Sequence, residues 1–373
     1  MTRRTILATI STVVFAFALT ACASGAAPGS PPSEVSNAEI VRDAQARIEA
    51  ATSTVGVTWG GSGVKAPAEK GFVVLVPCNQ VQPGCTEPAI GAEEALSALG
   101  WRVQMIDGKG TGDTQNAAVQ QALALSPDAI LTFAIDPPTI QQSLAAAREQ
   151  GVVVVSSAGQ ESDLVDSSVN PTLDIYSETG SLLADVAIAD QAGEARALVL
   201  HDTGFSVLEP RYQAFLDRLS ECEGCAVLEE QTFTSADLVV GLPRLVQQLA
   251  QRHPDFNTLY VDYDDAVPPI LQALDALGLE GKTILASNGT QDATQCIASV
   301  CGQTATTAFS LRGIGWAAVD QLIHILADED PAVASYPIGV KLISAENAGR
   351  IDGMWDGDTD YRGEYLTRWG VAE

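Results

Sequence analysis

From Gly71 onward the chain alternates between two textures. Short apolar, β-branched runs at residues 72–76, 102–106, 129–133 and 152–156 are separated by longer Ala-, Leu- and Gln-rich stretches at 90–99, 115–125 and 138–149. The runs do not alternate polar with apolar; Val152-Val153-Val154-Val155 offers both faces of a strand to a dry environment. Strands of that kind belong to a parallel sheet covered by helices on both sides, and parallel neighbours need a helix-sized crossover between them. The pattern therefore predicts consecutive βαβ units.

The same rhythm restarts at Ala195. Strands are expected at 197–200, 226–231, 258–261, 283–286 and 305–309, with helices at 207–219, 238–251, 266–277 and 291–297. Two such blocks predict an α/β protein of two similar lobes, each a parallel sheet between two helix layers. Residues 315–327 add a helix and 338–343 a strand. Ahead of the first block, 37–51 has helical spacing and 52–70 is a Gly/Pro-rich arm. A chain of 373 residues is long for a single core and comfortable for two.

Charge narrows the partners. The chain carries 47 acidic against 20 basic residues, a formal net charge of −27. Nucleic-acid binding needs Lys and Arg to replace phosphate counterions, so this balance excludes it. The N-terminus is the exception to the acidity. Arg3-Arg4 precedes an uncharged apolar stretch, and Leu19-Thr20-Ala21-Cys22 then resembles a lipobox. The reading is a signal peptide over 1–21, lipidation of Cys22, and a flexible tether over 22–36. The mature protein would then sit on the outer face of the cell membrane, held by its lipid alone. The other reading is an uncleaved membrane helix, for which the uncharged run 5–21 is slightly short.

Six cysteines remain after Cys22, in three close pairs: Cys78/Cys85, Cys222/Cys225 and Cys296/Cys301. An oxidising exterior would close them as short-loop disulfides. Cys222-Glu223-Gly224-Cys225 also has the spacing of a redox pair, but its acidic neighbours disfavour a reactive thiolate. A zinc shared between pairs is the third option, and no further ligands cluster near them.

Several segments, in order, carry a family resemblance. Gly91-Ala92-Glu93-Glu94-Ala95-Leu96 with Leu99-Gly100-Trp101 lies in the first unit, and Ser126-Pro127-Asp128-Ala129-Ile130 in the second. Ala145-Ala146-Ala147 with Gly151-Val152-Val153-Val154 follows. Arg211-Tyr212-Gln213-Ala214-Phe215, Asp262-Tyr263-Asp264-Asp265-Ala266 and Asn288-Gly289-Thr290 mark the second block. From about Lys70 to Ala345 the chain resembles the type I periplasmic binding proteins, the ribose-binding-like sugar receptors of ABC transporters.

The resemblance implies two lobes joined by a three-strand hinge, with crossings near 174–176, 309–312 and 337–340. The N-terminal lobe would hold 37–175 and 310–338, the C-terminal lobe 176–309 and 339–373. It also implies a monomer that captures a small sugar-like molecule in the interlobe cleft and delivers it to an ABC permease. The alternative is a receptor that presents its closed form to a membrane signalling protein, with a non-sugar ligand. Neither role needs a cofactor, a metal or catalysis.

Ligands of parallel sheets sit beyond the carboxyl ends of the strands. That rule points to Asn79, Gln80, Gln160, Arg211, Asp262, Tyr263, Asn288 and Phe309 as ligand-binding candidates, with Asp264 beside them. Arg211 stands where the family places a guanidinium into the cleft, a planar fork suited to paired hydroxyls. The chain departs from its relatives at three places. Ala158-Gly159 replaces an Asp-Arg pair after the fourth strand, Tyr263 an Asn, and Asn288 an Asp. The charged hydrogen-bonding groups of a sugar site are thinned.

Enzymatic readings find little support. His253 and His324 lie in helix patterns without partners at ligand spacing, and His201-Asp202 sits at a strand end with no evident nucleophile. Gly108-Lys109-Gly110-Thr111-Gly112 lacks the spacing of a phosphate loop, and Asp358 with Asp360 lacks the calcium-loop pattern.

The lipobox reading predicts that Cys22→Ser abolishes lipid labelling and leaves precursor or released protein. Membrane fractionation checks it, and unchanged labelling would refute it.

Overall fold

The computed structural model describes residues 37–56, 63–169, 173–331 and 339–371. The leader, Cys22 and the tether lie outside the described residues. Five parallel strands, β1 (Phe72–Pro77), β2 (Arg102–Met105), β3 (Ala129–Phe133), β4 (Val153–Ser157) and β5 (Ser167–Val169), form one sheet in the order β2-β1-β3-β4-β5. A second sheet is built from β6 (Arg196–Asp202), β7 (Ala226–Phe233), β8 (Thr258–Val261), β9 (Thr283–Ser287), β10 (Ala305–Ala308) and β11 (Lys341–Ser344). Its order is β11-β10-β9-β8-β6-β7, parallel throughout except for the β10–β11 pair. The run β7-β6-β8-β9-β10 repeats the order of the first sheet, so the two lobes share one doubly wound topology.

Burial explains the unbroken apolar runs. Along β1, Val73 and Leu75 face a core shared with the helices α2 (Pro83–Ala98) and α10 (Leu311–Leu326). Phe72, Val74 and Val76 face the opposite core, with α3 (Gly112–Leu123) and α4 (Gln141–Gln150). In β6, Leu198 and Leu200 face α7 (Gly241–Arg252) and α8 (Val267–Asp275). Ala197 and Val199 face the layer of α5 (Leu173–Asp190) and α6 (Glu209–Ser220). Each fully buried Val or Leu contributes about 1.5–3 kcal/mol, which is why neither strand face can carry a polar set. The last helix of the second lobe, α9 (Gln291–Ala298), packs beside β10 and β11.

Sequence order and packing part company at three places. Residues 174–176, expected as a hinge crossing, open the long helix α5. Its buried Leu182, Leu183, Val186 and Ala187 repeat at helical spacing. The first helix, α1 (Asn37–Thr52), precedes the first lobe in sequence but packs on the second, where Ile40 and Ala44 join Leu183, Ala187 and Leu342. Conversely α11 (Tyr361–Arg368) follows the second lobe yet docks on the first. Trp369 just after it stacks on Trp316 of α10 at 5.5 Å and donates to Asp320 Oδ1 at 2.6 Å. The assignment of 37–175 to one lobe and 339–373 to the other is thus corrected at both ends. An apolar helix face goes where a complementary face stands open, not where the chain happens to be. The chain also passes between lobes from β10 into α10; the expected third crossing, 337–340, begins in the segment 332–338, which lies outside the described residues.

All three cysteine pairs are disulfide-bonded, and Cys78–Cys85 ties the end of β1 to the start of α2.

Helix contacts in both lobes are unusually close. A Cβ on Gly315 of α10 would stand 2.0 Å from the Pro88 carbonyl oxygen of α2, and one on Gly180 of α5 1.9 Å from that of Arg211 in α6. Gly315→Ala and Gly180→Ala are each expected to destabilise the protein by about 2–3 kcal/mol through overpacking. Denaturant unfolding measures this; changes within about 0.5 kcal/mol, the range of an ordinary surface substitution, would contradict it.

Candidate functional site

The order of each sheet reverses between its first and third strands, β1/β3 and β6/β8, and the carboxyl ends there meet across a single cleft. After β1 the chain turns at Asn79, whose Oδ1 accepts from the backbone N–H of Val81 (2.9 Å) and Gln82 (2.8 Å). Its Nδ2 donates to Gln82 Oε1 at 2.7 Å. The turn delivers Pro83 to the first turn of α2 and sets Gln82, Gly84 and Cys85 against the cleft. Ala134 after β3, Ala158 after β4 and Asn288 after β9 adopt left-handed backbone, with φ of 53°, 53° and 104°. Non-glycine residues adopt this region at a cost of about 1–3 kcal/mol, and here all three border the cavity.

The cavity between them has a volume of about 50 Å³. The second lobe contributes Tyr176 from α5, Phe205 to Leu208 after β6, Tyr263 and Asp265 after β8, and Phe309 after β10. The lobes are drawn together: Ser206 Oγ of the second donates to Asp136 Oδ1 of the first at 2.6 Å. The same carboxylate oxygen accepts from the Gln160 N–H at 2.7 Å.

Behind the cavity lies a buried polar layer. Asp262 accepts from the Asp202 N–H (2.6 Å) and the Tyr260 hydroxyl (2.9 Å), and its Oδ2 stands 2.9 Å from His201 Nδ1. His201 stacks on Tyr212 at 4.2 Å, with Nε2 3.2 Å from Glu209. Burial works against the charged imidazolium, but the hydrogen bond and charge of Asp262, followed by Glu209, leave its pKa above the usual value. Arg211 is completely buried. Its Nε donates to Thr179 Oγ1 (3.0 Å) and Nη1 to the Asp262 carbonyl (2.6 Å), while Nη2 has no partner. The rings of Tyr176 and Phe309 lie 5.2 and 5.7 Å from its guanidinium carbon.

Of the residues expected from strand ends, Tyr263, Asn288 and Phe309 line the cavity; Asn79, Gln80, Gln160, Arg211 and Asp262 do not. Gln80 and Gln160 are exposed outside it. Asn79 is consumed by its own turn, and Asp262 by the groups of its own lobe. Arg211 is the substantive correction. It enters near the start of α6, but α5 covers it, so the guanidinium braces the wall from behind. Asp264 is likewise internal, accepting from the Thr290 N–H, Gln303 and Thr306. Tyr176, Phe205, Gln82 and Asp265 were missed. The apolar run Val207-Leu208 beside Phe205, just past a strand, was a usable signal; Tyr176 was hidden by the unrecognised helix α5.

Burial pushes the Asp264 carboxyl up to about 6, against hydrogen bonds led by the Thr290 N–H. Asp265 is pushed up to about 7 by burial and then by the charges of Asp264 and Asp292.

The model of the family described as "Periplasmic binding protein domain" matches residues 72–330, and the chain belongs to that family. It is a binding protein rather than an enzyme. The ribose import binding protein of Escherichia coli is 23% identical over 279 residues, covering 74% of this chain and 90% of that protein. Among solved structures, an ABC transporter solute binding protein from Mycobacterium smegmatis with bound glycerol has a TM-score of 0.68 at 20% identity. The alignment covers 78% of this chain and 100% of that one. A Caulobacter myo-inositol binding protein has a TM-score of 0.65 at 19% identity, covering 78% and 98%.

Asp264, Asp265 and His201 all hold protons more tightly folded than unfolded. Their contribution is full at low pH and is lost as pH rises through their folded values. Unfolding free energy should therefore fall by ~2 kcal/mol between about pH 5 and pH 8, with Asp265→Asn removing much of the slope. Denaturant titrations across that range check it; a flat or rising profile would contradict it.

Proposed function

We propose that this chain is an extracytoplasmic, lipid-anchored solute receptor that closes two lobes over a small molecule and delivers it to an ABC permease. The observation that carries the reading is the position of the cavity. Its walls come from the carboxyl ends of strands in both sheets, so a ligand there touches both lobes at once. A molecule that bridges the lobes favours the closed form by its differential affinity for that form, and the closed shape is what a permease can recognise. The Ser206–Asp136 hydrogen bond spans the same gap and exists only when the lobes meet.

The relatives support the size of the solute: the similar proteins include two named for ribose import and myo-inositol binding, and a solute binding protein whose structure holds glycerol. The lipobox-like run at Cys22 supports the anchored location.

Screening the mature protein by thermal shift against sugars, polyols, nucleosides and aromatic metabolites identifies candidate ligands. A true ligand should raise Tm and reduce the radius of gyration in solution scattering. Ser206→Ala should weaken its binding about fivefold, since one partly exposed hydrogen bond contributes about 1 kcal/mol. Identical scattering profiles with and without a saturating ligand would refute closure.

A further inference from the structure

The wall of the cleft is unlike a surface built for many hydroxyls. Four rings, Tyr176, Phe205, Tyr263 and Phe309, border it together with aliphatic side chains that include Val207, Leu208 and Ile314. The rings are held in place: Tyr176 meets Phe309 edge-on at 5.3 Å, and the Tyr263 hydroxyl donates to Asp202 at 2.6 Å. Apart from tyrosine hydroxyls, the polar side chains at the wall are the amides of Gln82 and Asn288 and the carboxylate of Asp265. The Gln82 carbonyl is already an acceptor for Asn79. A polyol enclosed here would bury several hydroxyls without partners, at a cost of about 1–3 kcal/mol each. The body of the ligand is therefore apolar.

Asp265 decides the other end. Its carboxylate has no hydrogen bond or ion pair among the described residues. It lines both the cavity and an adjoining recess of about 440 Å³ whose charged residues also include Glu87, Asp292, Arg312, Asp352 and Asp356. Arg312 is taken by Glu87 (2.7 Å) and Glu94 (3.0 Å), and Asp356 by Arg362 (2.6 Å). Asp265, Asp292 and Asp352 have no ion-pair partner among the described residues, so the recess presents a negative field to anything entering through it. Burial, and then the charges of Asp264 and Asp292, raise the proton affinity of Asp265. Arg211 lies behind Tyr176 and Phe309, with two of its donors turned to Thr179 and Asp262.

Resting on the reading of this cleft as the solute site, we propose that its ligand is a small organic ammonium. The apolar body packs against the four rings, and the ammonium N–H donates to Asp265, facing the acidic recess. Cations are attracted to aromatic faces as well as to carboxylates, so both walls favour the same charge.

Calorimetric titration at about pH 8 with phenethylamine, its neutral isostere 2-phenylethanol, the anion hydrocinnamate, and myo-inositol tests the assignment. Phenethylamine should bind at least tenfold more tightly than 2-phenylethanol. Asp265→Asn should erase that preference; Asp292→Asn, farther along the recess, should reduce it by about two- to fivefold. Thermal melts confirm that both variants fold. Tighter binding of hydrocinnamate would assign the cavity to anions and overturn the proposal. So would tighter binding of myo-inositol, an amine preference that survives Asp265→Asn, or no saturable binding of phenethylamine. Compaction of the protein by any other solute would then still uphold the receptor reading, whereas the absence of compaction by every solute would remove that reading as well.

Discussion

The wall of the cleft depends on one buried cation. Taking a guanidinium out of water costs several kcal/mol unless its donors and charge are answered, and Arg211 is answered by a carbonyl, a hydroxyl and two ring faces. Those partners come from three different places, Thr179 and Tyr176 on α5, Asp262 after β8 and Phe309 after β10, and Arg211 itself stands on a fourth, α6. The need to satisfy one side chain thus fixes the relative position of two helices and two strand ends. Tyr176 and Phe309, pressed against it on one side, form part of the cavity on the other. The ligand wall is shaped by an interaction the ligand need not touch.

Around this point the two lobes are built to the same plan. Each has strands in the order second-first-third-fourth-fifth, and each has a glycine where two helices approach to backbone contact, Gly315 against α2 and Gly180 against α6. Rigid lobes make closure a movement between bodies rather than a deformation within them. The left-handed backbone at Ala134, Ala158 and Asn288 places strain at the mouth of the cleft, on residues whose small or amide side chains leave room there. The ends of the chain reinforce the arrangement: α1 buttresses the second lobe, and the aromatic stack of Trp316, Tyr365 and Trp369 buttresses the first.

Local physics made the α/β class legible in the sequence. Runs such as Val152 to Val155 are tolerable only in a sheet covered on both faces, and the repeat of that pattern after Ala195 required a second sheet. The pairing of cysteines at short separations was legible for the same reason, since a loop of a few residues keeps its ends together in any fold. Sequence reasoning also placed Tyr263, Asn288 and Phe309 at strand ends that border the cleft, because the carboxyl ends of parallel strands face one way. The replacement of an Asp-Arg pair by Ala158-Gly159 already hinted at a less polar wall.

Tertiary structure alone decided which strand-end side chains face the cavity and which support it. Arg211 and Tyr263 carry the same positional signal, yet the helix α5 covers one and leaves a face of the other open; no local pattern reports what will pack above a residue. The same holds for α1, whose helical spacing is plain in the sequence, and for α11: their lobes were chosen by complementary surfaces far away along the chain. Asp265 belongs to this group too. Its raised proton affinity follows from burial at the cleft and from two acidic neighbours, one adjacent and one brought close only by folding. Periodicity is a property of neighbouring residues and could be read directly, whereas the chemistry of the cleft arises where distant segments meet.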